Sequence, residues 1–155
     1  NVMGSKGQLI SVENRPEHAE VGRGNMQRMA EFSAEFPKWN LLEMDLQDAV
    51  AEVESICGNL DAAIIDIAEP WTVVEGISSN LRIGGRIACY CPTTAQLEKS
   101  WNSVEATGLV VEFAGEMVER RWTKAGKGGV RPGNQPMGHT AFLLIAAKIA
   151  PVEEE

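Results

Sequence analysis

The chain has 155 residues, of which 44% are hydrophobic and 23% are charged, as in an ordinary globular protein. This length fits one domain, and we assign residues 1–155 to a single domain. No apolar run approaches the ~20 residues that a membrane-spanning helix needs, so the sequence predicts no membrane association. The formal net charge of −8 argues against a general nucleic-acid binder, which neutralises phosphates with lysine and arginine.

The cysteine and histidine content bears on compartment and on metal binding. The chain has 3 cysteines and 2 histidines, and the histidines lie far apart in the sequence. Cys89 and Cys91 alternate on one predicted strand, a spacing that suits neither a disulfide nor a zinc site. We therefore predict reduced thiols, a cytoplasmic protein and no metal.

Strand-like and helix-like segments alternate along the chain, which predicts an α/β fold with a mostly parallel sheet. We predict strands at 8–13, 39–44, 61–67, 86–91, 110–122 and 140–149, with helices at 16–36, 46–56, 72–81 and 94–107. Pro37 ends the first helix, Thr94 serves as an N-cap and Gly108 lies where a C′ glycine belongs. The glycine-rich basic stretch between the last two strands is expected to be a loop.

One buried strand ends in an acid that a rigid corner follows at once. The run Ile64-Ile65-Asp66-Ile67 leads directly into Glu69-Pro70-Trp71. Open α/β sheets bind ligands just beyond the carboxyl ends of their strands, so Asp66 is placed where a ligand would lie. The alternative is a buried aspartate satisfied by backbone N–H groups.

Four further motifs follow in order. They are Tyr90-Cys91-Pro92-Thr93 with Gln96, Glu119-Arg120-Arg121-Trp122, Arg131-Pro132, and Met137-Gly138-His139-Thr140-Ala141-Phe142-Leu143. With the Asp66 motif, they resemble the tRNA adenine-N1 methyltransferases, which use S-adenosylmethionine to methylate an adenine in the tRNA T-loop. Ala68 departs from the proline that is usual in this family, which is expected to loosen the corner.

The resemblance implies a class I, Rossmann-like methyltransferase fold that ends in an antiparallel strand pair. It also implies that the fold is incomplete at its N-terminus, because the family's first strand and glycine-rich cofactor loop have no counterpart from Asn1 onward. That strand lies in the middle of the family's sheet. We expect the strands at 8–13 and 61–67 either to close up, or to be joined by another chain, or to remain apart in a remnant of a longer protein.

The resemblance also implies how S-adenosylmethionine is bound. Glu13 is expected to accept hydrogen bonds from the ribose hydroxyls, although it could simply cap the turn that follows its strand. Asp45 is expected to accept from the cofactor's adenine amino group while Leu46 offers its backbone N–H; Asp45 also suits a helix N-cap. Without the glycine-rich loop, we expect weak or no cofactor binding by the chain alone.

Asp66, Tyr90 and His139 are the predicted catalytic residues. A carboxylate that accepts from the exocyclic amino group of adenine would hold the base and favour the positive charge that grows on its ring. Asp66 is expected to play this role and also to contact the cofactor. Tyr90 is expected to line the pocket that binds the base. His139 matches a family position, but a histidine is often only structural.

The tRNA contacts are predicted at aromatic, polar and basic positions. An adenine inside folded tRNA must leave its stack before methylation, and flipped bases are commonly held against aromatic side chains. The predicted RNA-binding residues are Trp71, Thr93, Gln96, Arg120, Arg121 and Arg131. Solvated loop arginines are common, so these three arginines could equally be surface charges.

The sequence therefore predicts a tRNA adenine-N1 methyltransferase, present as its C-terminal part and inactive alone, with tRNA as a partner and a homo-oligomeric complete enzyme. The alternative is a non-catalytic scaffold or tRNA-binding subunit of the same family. The three acids Glu13, Asp45 and Asp66 argue against it, since a scaffold need not keep them. A methyltransferase of small molecules would require the five motif matches to be accidental.

Overall fold

A computed structural model describes residues 3–133, 138 and 141–151. Its elements are β1 (Gln8–Val12), α1 (Pro16–Glu31), β2 (Lys38–Leu42), α2 (Leu46–Cys57), β3 (Leu60–Ile65), a 3₁₀ turn (Pro70–Thr72), α3 (Val74–Asn80), β4 (Leu81–Cys91), α4 (Thr94–Ala106), β5 (Val110–Gly115), β6 (Trp122–Lys124), β7 (Val130–Pro132) and β8 (Phe142–Ala147). The predicted alternation of strands and helices is confirmed. Within the described residues, no helix has the length and apolar character needed to span a bilayer.

The end of α1 and the N-cap of α4 differ from the prediction. Helix α1 ends at Glu31 instead of reaching Pro37. Phe32 and Met29 are exposed there, so no buried apolar stripe extends the helix. The N-cap of α4 is Thr93, not Thr94, because Thr93 and Gln96 form a capping box.

The predicted strand 110–122 is also wrong in its second half. Strand β5 ends at Gly115, and Trp122 begins a separate antiparallel hairpin in which β6 pairs with β7. The basic stretch that the sequence predicted as a loop is therefore partly a hairpin. Trp122 is 62% exposed in this chain.

The larger sheet has the strand order β3-β4-β8-β5. Strands β3 and β4 are parallel, whereas β8 is antiparallel to both β4 and β5. This confirms the predicted antiparallel ending. Strands β1 and β2 form a separate parallel pair.

The predicted gap in the centre of the sheet is present. Among the described residues, β3 is an edge strand and β1 pairs only with β2, so the two strands do not close up. Helix α2 packs on β1 and on α3, which connects the small sheet with the helical layer.

The core lies between the larger sheet and helices α3 and α4. It is formed by apolar side chains that alternate along the strands, including Ile65, Ile87, Cys89 and Leu144, together with Val74 and Val104 from the helices. The opposite sheet face is open: Ile64 is 84% exposed and Leu143 is 37% exposed. Because strand side chains alternate between faces, this one-sided burial fixes which side chains face the core.

Candidate active site at the carboxyl ends of the parallel strands

The predicted site residues follow the ends of parallel strands. Val12 is level with Leu42 in one pair of strands, so Glu13 and the β2–α2 turn lie at the same edge. Ile65 is level with Cys89 in the other pair, so Asp66 lies beside Tyr90. The structure therefore presents two groups of predicted residues, one at each pair of parallel strands.

Glu13 is already engaged in the structure. Its backbone N–H donates to the Leu42 carbonyl at 3.0 Å, which fixes its place directly after β1. Its carboxylate accepts from the Arg15 backbone N–H at 3.0 Å and from the Arg15 guanidinium at 2.9 and 3.1 Å. These hydrogen bonds from Arg15 lower the pKa of Glu13 from 4.5 to about 2, and His18 at 4.0 Å lies on the same side. The carboxylate is therefore ionised at every physiological pH.

Asp45 is the N-cap residue of α2, as its sequence position suggested, but its side chain makes no capping hydrogen bond. Instead, Asn14 Nδ2 donates to Asp45 Oδ1 at 2.7 Å, across the ends of β1 and β2. Leu46 is the first residue of α2. The first four N–H groups of a helix have no intrahelical acceptor, so the Leu46 N–H is suited to donate to a ligand.

The segment 66–71, which we call the Asp66 corner, joins β3 to the 3₁₀ turn. Asp66 is exposed, whereas Pro70 is buried and anchors the end of the corner. The Thr72 N–H donates to the Glu69 carbonyl at 3.1 Å, which closes the turn. The Ala68 carbonyl accepts from Gln96 Nε2 at 2.9 Å, so the corner is tied to α4 even without the family's usual proline.

The side chains predicted to contact a flipped base lie in this corner, on β4 and at the start of α4. Tyr90 lies on β4 and is partly buried. The Trp71 ring has Lys99 Nζ at 4.5 Å from its centroid, a cation–π arrangement that covers one ring face. Thr93 and Gln96 bond each other in the capping box at the start of α4. Their predicted contact with RNA stays a prediction.

The predicted arginines belong to the segment around the β6–β7 hairpin. Arg121 is hydrogen-bonded to Glu119, with Nε 3.0 Å from Oε1. Arg120 is exposed before β6, and Arg131 is exposed on β7, opposite Thr123. The hairpin thus carries exposed positive charge on a short two-stranded frame. The predicted His139 lies outside the described residues.

Sequence reasoning missed the side chains that hold the predicted site residues in place. They are Asn14, Arg15, Lys99 and Ser103. The Thr-x-x-Gln spacing of a capping box was visible at Thr93 and Gln96. The other contacts join residues that are distant in sequence, or depend on side-chain rotamers, and no motif marks them.

In the described part of the chain, no three metal-binding side chains cluster.

Comparison with known proteins gives two informative relatives. The chain is 28% identical to the tRNA (adenine(57)-N(1)/adenine(58)-N(1))-methyltransferase TrmI of Methanocaldococcus jannaschii, over 94% of this chain and 57% of that protein. It is 27% identical to the tRNA (adenine(58)-N(1))-methyltransferase TrmI of Thermus thermophilus, over 92% of this chain and 52% of that protein. The chain is related to the tRNA adenine-N1 methyltransferases. The resemblance inferred from the motifs is therefore confirmed, while a scan of family models finds no match.

Solved structures give the same fold. A S-adenosylmethionine-dependent O-methyltransferase from Thermotoga maritima superposes with a TM-score of 0.78 at 23% identity, covering 97% of this chain and 53% of that one. The tRNA (m1A58) methyltransferase TrmI from Aquifex aeolicus superposes with a TM-score of 0.69 at 20% identity, covering 94% of this chain and 55% of that one. The chain has the Rossmann-like methyltransferase fold, and it spans about half the length of the curated relatives that it matches.

Proposed function

We propose that the chain is part of a tRNA adenine-N1 methyltransferase, with S-adenosylmethionine as methyl donor. The observation that supports this most directly is the placement of Glu13, Asp45 and Asp66, each just beyond the end of a parallel strand. Ligands of open α/β sheets bind at this edge. The substrate class is that of the relatives, which are tRNA adenine-N1 methyltransferases.

The donors of a nucleoside match the acceptors that the chain offers. Ribose hydroxyls and an adenine amino group donate hydrogen bonds, and the carboxylates of Glu13 and Asp45 accept them. Arg15 and its backbone N–H take three of roughly four acceptor positions on Glu13, so Arg15 must move aside before Glu13 can bind two hydroxyls. Asn14 occupies one oxygen of Asp45 and leaves the other for the adenine amino group.

Asp66 is proposed to act on the substrate adenine. When bound, S-adenosylmethionine supplies the electrophilic methyl group. The Asp66 carboxylate would accept from the exocyclic amino group of the substrate, hold N1 in line and stabilise the positive charge that develops on the ring. Tyr90, on the neighbouring strand, would line the pocket that binds the base. The arginines around the hairpin would contact tRNA phosphates.

Calorimetric titration with S-adenosylhomocysteine tests the cofactor part of the proposal. The titration should be made against this chain and against a version extended upstream by its coding sequence. Binding by the extended form, weakened by Asp45→Ala and unchanged by Glu52→Gln, would support the proposal. Glu52→Gln is a matched control because Glu52 is an exposed acid on α2. Absence of binding by either form would favour the scaffold alternative.

Nucleoside mass spectrometry tests the transfer itself. The extended protein, incubated with S-adenosylmethionine and unmodified tRNA, should produce 1-methyladenosine. Asp66→Ala should lower the rate about 100-fold or more, because the base loses both its orienting acceptor and the stabilising charge. A rate that Asp66→Ala leaves unchanged would refute the role of Asp66.

A further inference from the structure

Gln96 uses both ends of its side-chain amide inside the protein. Its Oε1 accepts from the Thr93 backbone N–H at 3.0 Å and from the Thr93 hydroxyl at 2.8 Å. Its Nε2 donates to the Ala68 carbonyl at 2.9 Å, across 28 residues of sequence. The side chain is partly buried. Gln96 could therefore read a base only by giving up contacts that it already makes.

The Ala68 contact belongs to a row along one face of α4. Gln96, Lys99 and Ser103 are separated by three and four residues, the spacing that places side chains on the same side of a helix. Lys99 lies over the Trp71 ring, and Ser103 Oγ donates to the Trp71 carbonyl at 3.0 Å. All three side chains thus hold the Asp66 corner.

Pro70 is buried at one end of the corner, whereas residues 66–69 are exposed. The Gln96 contact reaches this exposed part at the Ala68 carbonyl, two residues from Asp66. Asp66 directly follows Ile65, which pairs with Cys89 in the sheet. The backbone at Asp66 thus lies between an attachment to the sheet and an attachment to Gln96, and loss of the second would free it on one side.

We propose that Gln96 is a positioning residue that fixes the Asp66 corner in the geometry required for methyl transfer. This deepens the proposed function and rests on it. The assignment replaces the expectation that Gln96 binds RNA directly. A misplacement of a reacting group by about 1 Å can cost on the order of 100-fold in rate.

Gln96→Glu isolates the contact. Glutamate has the same shape and also serves at this position of a capping box, so the start of α4 should keep its cap. The substitution removes the Nε2 donor and turns a carboxylate oxygen toward the Ala68 carbonyl. Asn102→Asp is the matched control, because Asn102 is an exposed amide on the same helix and this substitution also adds one carboxylate.

Hydrogen exchange tests the structural part without cofactor or RNA. In the 155-residue chain, Gln96→Glu should accelerate exchange of the Thr72 and Val73 amides, which close the turn after the corner, by roughly 2–10-fold. The Asn102→Asp chain should exchange like the wild type. Unchanged exchange in Gln96→Glu would overturn the proposal, whatever the activity of the protein.

Steady-state kinetics test the functional part in the extended protein. Gln96→Glu should lower kcat about tenfold or more and leave the KM for tRNA within about twofold, because binding surfaces persist while alignment is lost. A raised KM for tRNA with unchanged kcat would overturn the proposal and restore the RNA-binding role. A wild-type protein that forms no 1-methyladenosine would instead overturn the proposed function, and the exchange measurement would still decide whether Gln96 holds the corner.

Discussion

Adjacent isoleucines in β3 allow a direct test of one-sided burial in the larger sheet. Ile65 is 2% exposed and packs in the core, whereas Ile64 is 84% exposed on the open face. Ile65→Ala should lower the free energy of unfolding by about 2–5 kcal/mol, since it loses buried methylenes and leaves a cavity. Ile64→Ala should cost less than ~1 kcal/mol, because only strand propensity is lost.

Urea unfolding followed by circular dichroism measures both values on the same chain. For a protein of this size, each kcal/mol corresponds to roughly 2–4 °C in Tm, so the two variants should also separate clearly in a thermal scan. Equal losses for Ile64→Ala and Ile65→Ala would refute the reasoning. They would mean that the open face is covered in solution, by another part of the protein or by another copy.

Three further predictions concern charge and reactivity. Arg15 holds the pKa of Glu13 at about 2, below its ordinary 4.5. The ionised Glu13 should therefore stabilise the fold above pH 4.5, and this contribution should fade as the pH falls from 4.5 to 2. Urea unfolding of the wild type and of Glu13→Gln should differ above pH 4.5 and converge toward pH 2. Burial raises the pKa of Cys89 to about 12. Ellman's reagent at pH 8 should therefore label the partly exposed Cys57 first, and Cys89 only after the protein unfolds. Rapid labelling of Cys89 in the native protein would contradict its burial. In the extended protein, Asp45→Asn should weaken binding of S-adenosylhomocysteine about tenfold by calorimetry, as expected for one lost hydrogen bond to a charged group; an unchanged Kd would contradict the role of Asp45.

Some of the site was predictable because local sequence determines it. An apolar run followed by an acid marks the end of a buried parallel strand. This pattern predicted that Asp66 and Glu13 lie at the carboxyl ends of their strands; in the structure each directly follows its strand, β3 or β1. Asp45 immediately precedes a helix for the same local reason. The order of the motifs then gave the family and the fold, which the relatives and the superposed structures confirm.

The connections between these residues could not be predicted from the sequence. The bond from Asn14 to Asp45 and the bond from Gln96 to the Ala68 carbonyl join residues about thirty positions apart, and they exist only after the sheets and helices have packed. The early end of α1 likewise depends on packing, because no buried apolar stripe extends the helix beyond Glu31. Rotamers and long-range contacts decide these features, and local periodicity does not encode them.

The sequence by itself determined the alternation of strands and helices, the strand-end acids and the family to which the motifs point, because each depends on a few neighbouring residues. The tertiary structure decided which strand faces are covered, that β1 and β3 do not pair with each other, and that Gln96 Nε2 donates to the Ala68 carbonyl of the Asp66 corner. Those features depend on which elements meet in space. A contact between residues that are distant in sequence stabilises the protein only when the rest of the fold already holds both residues in place, because ordering the chain between them costs entropy.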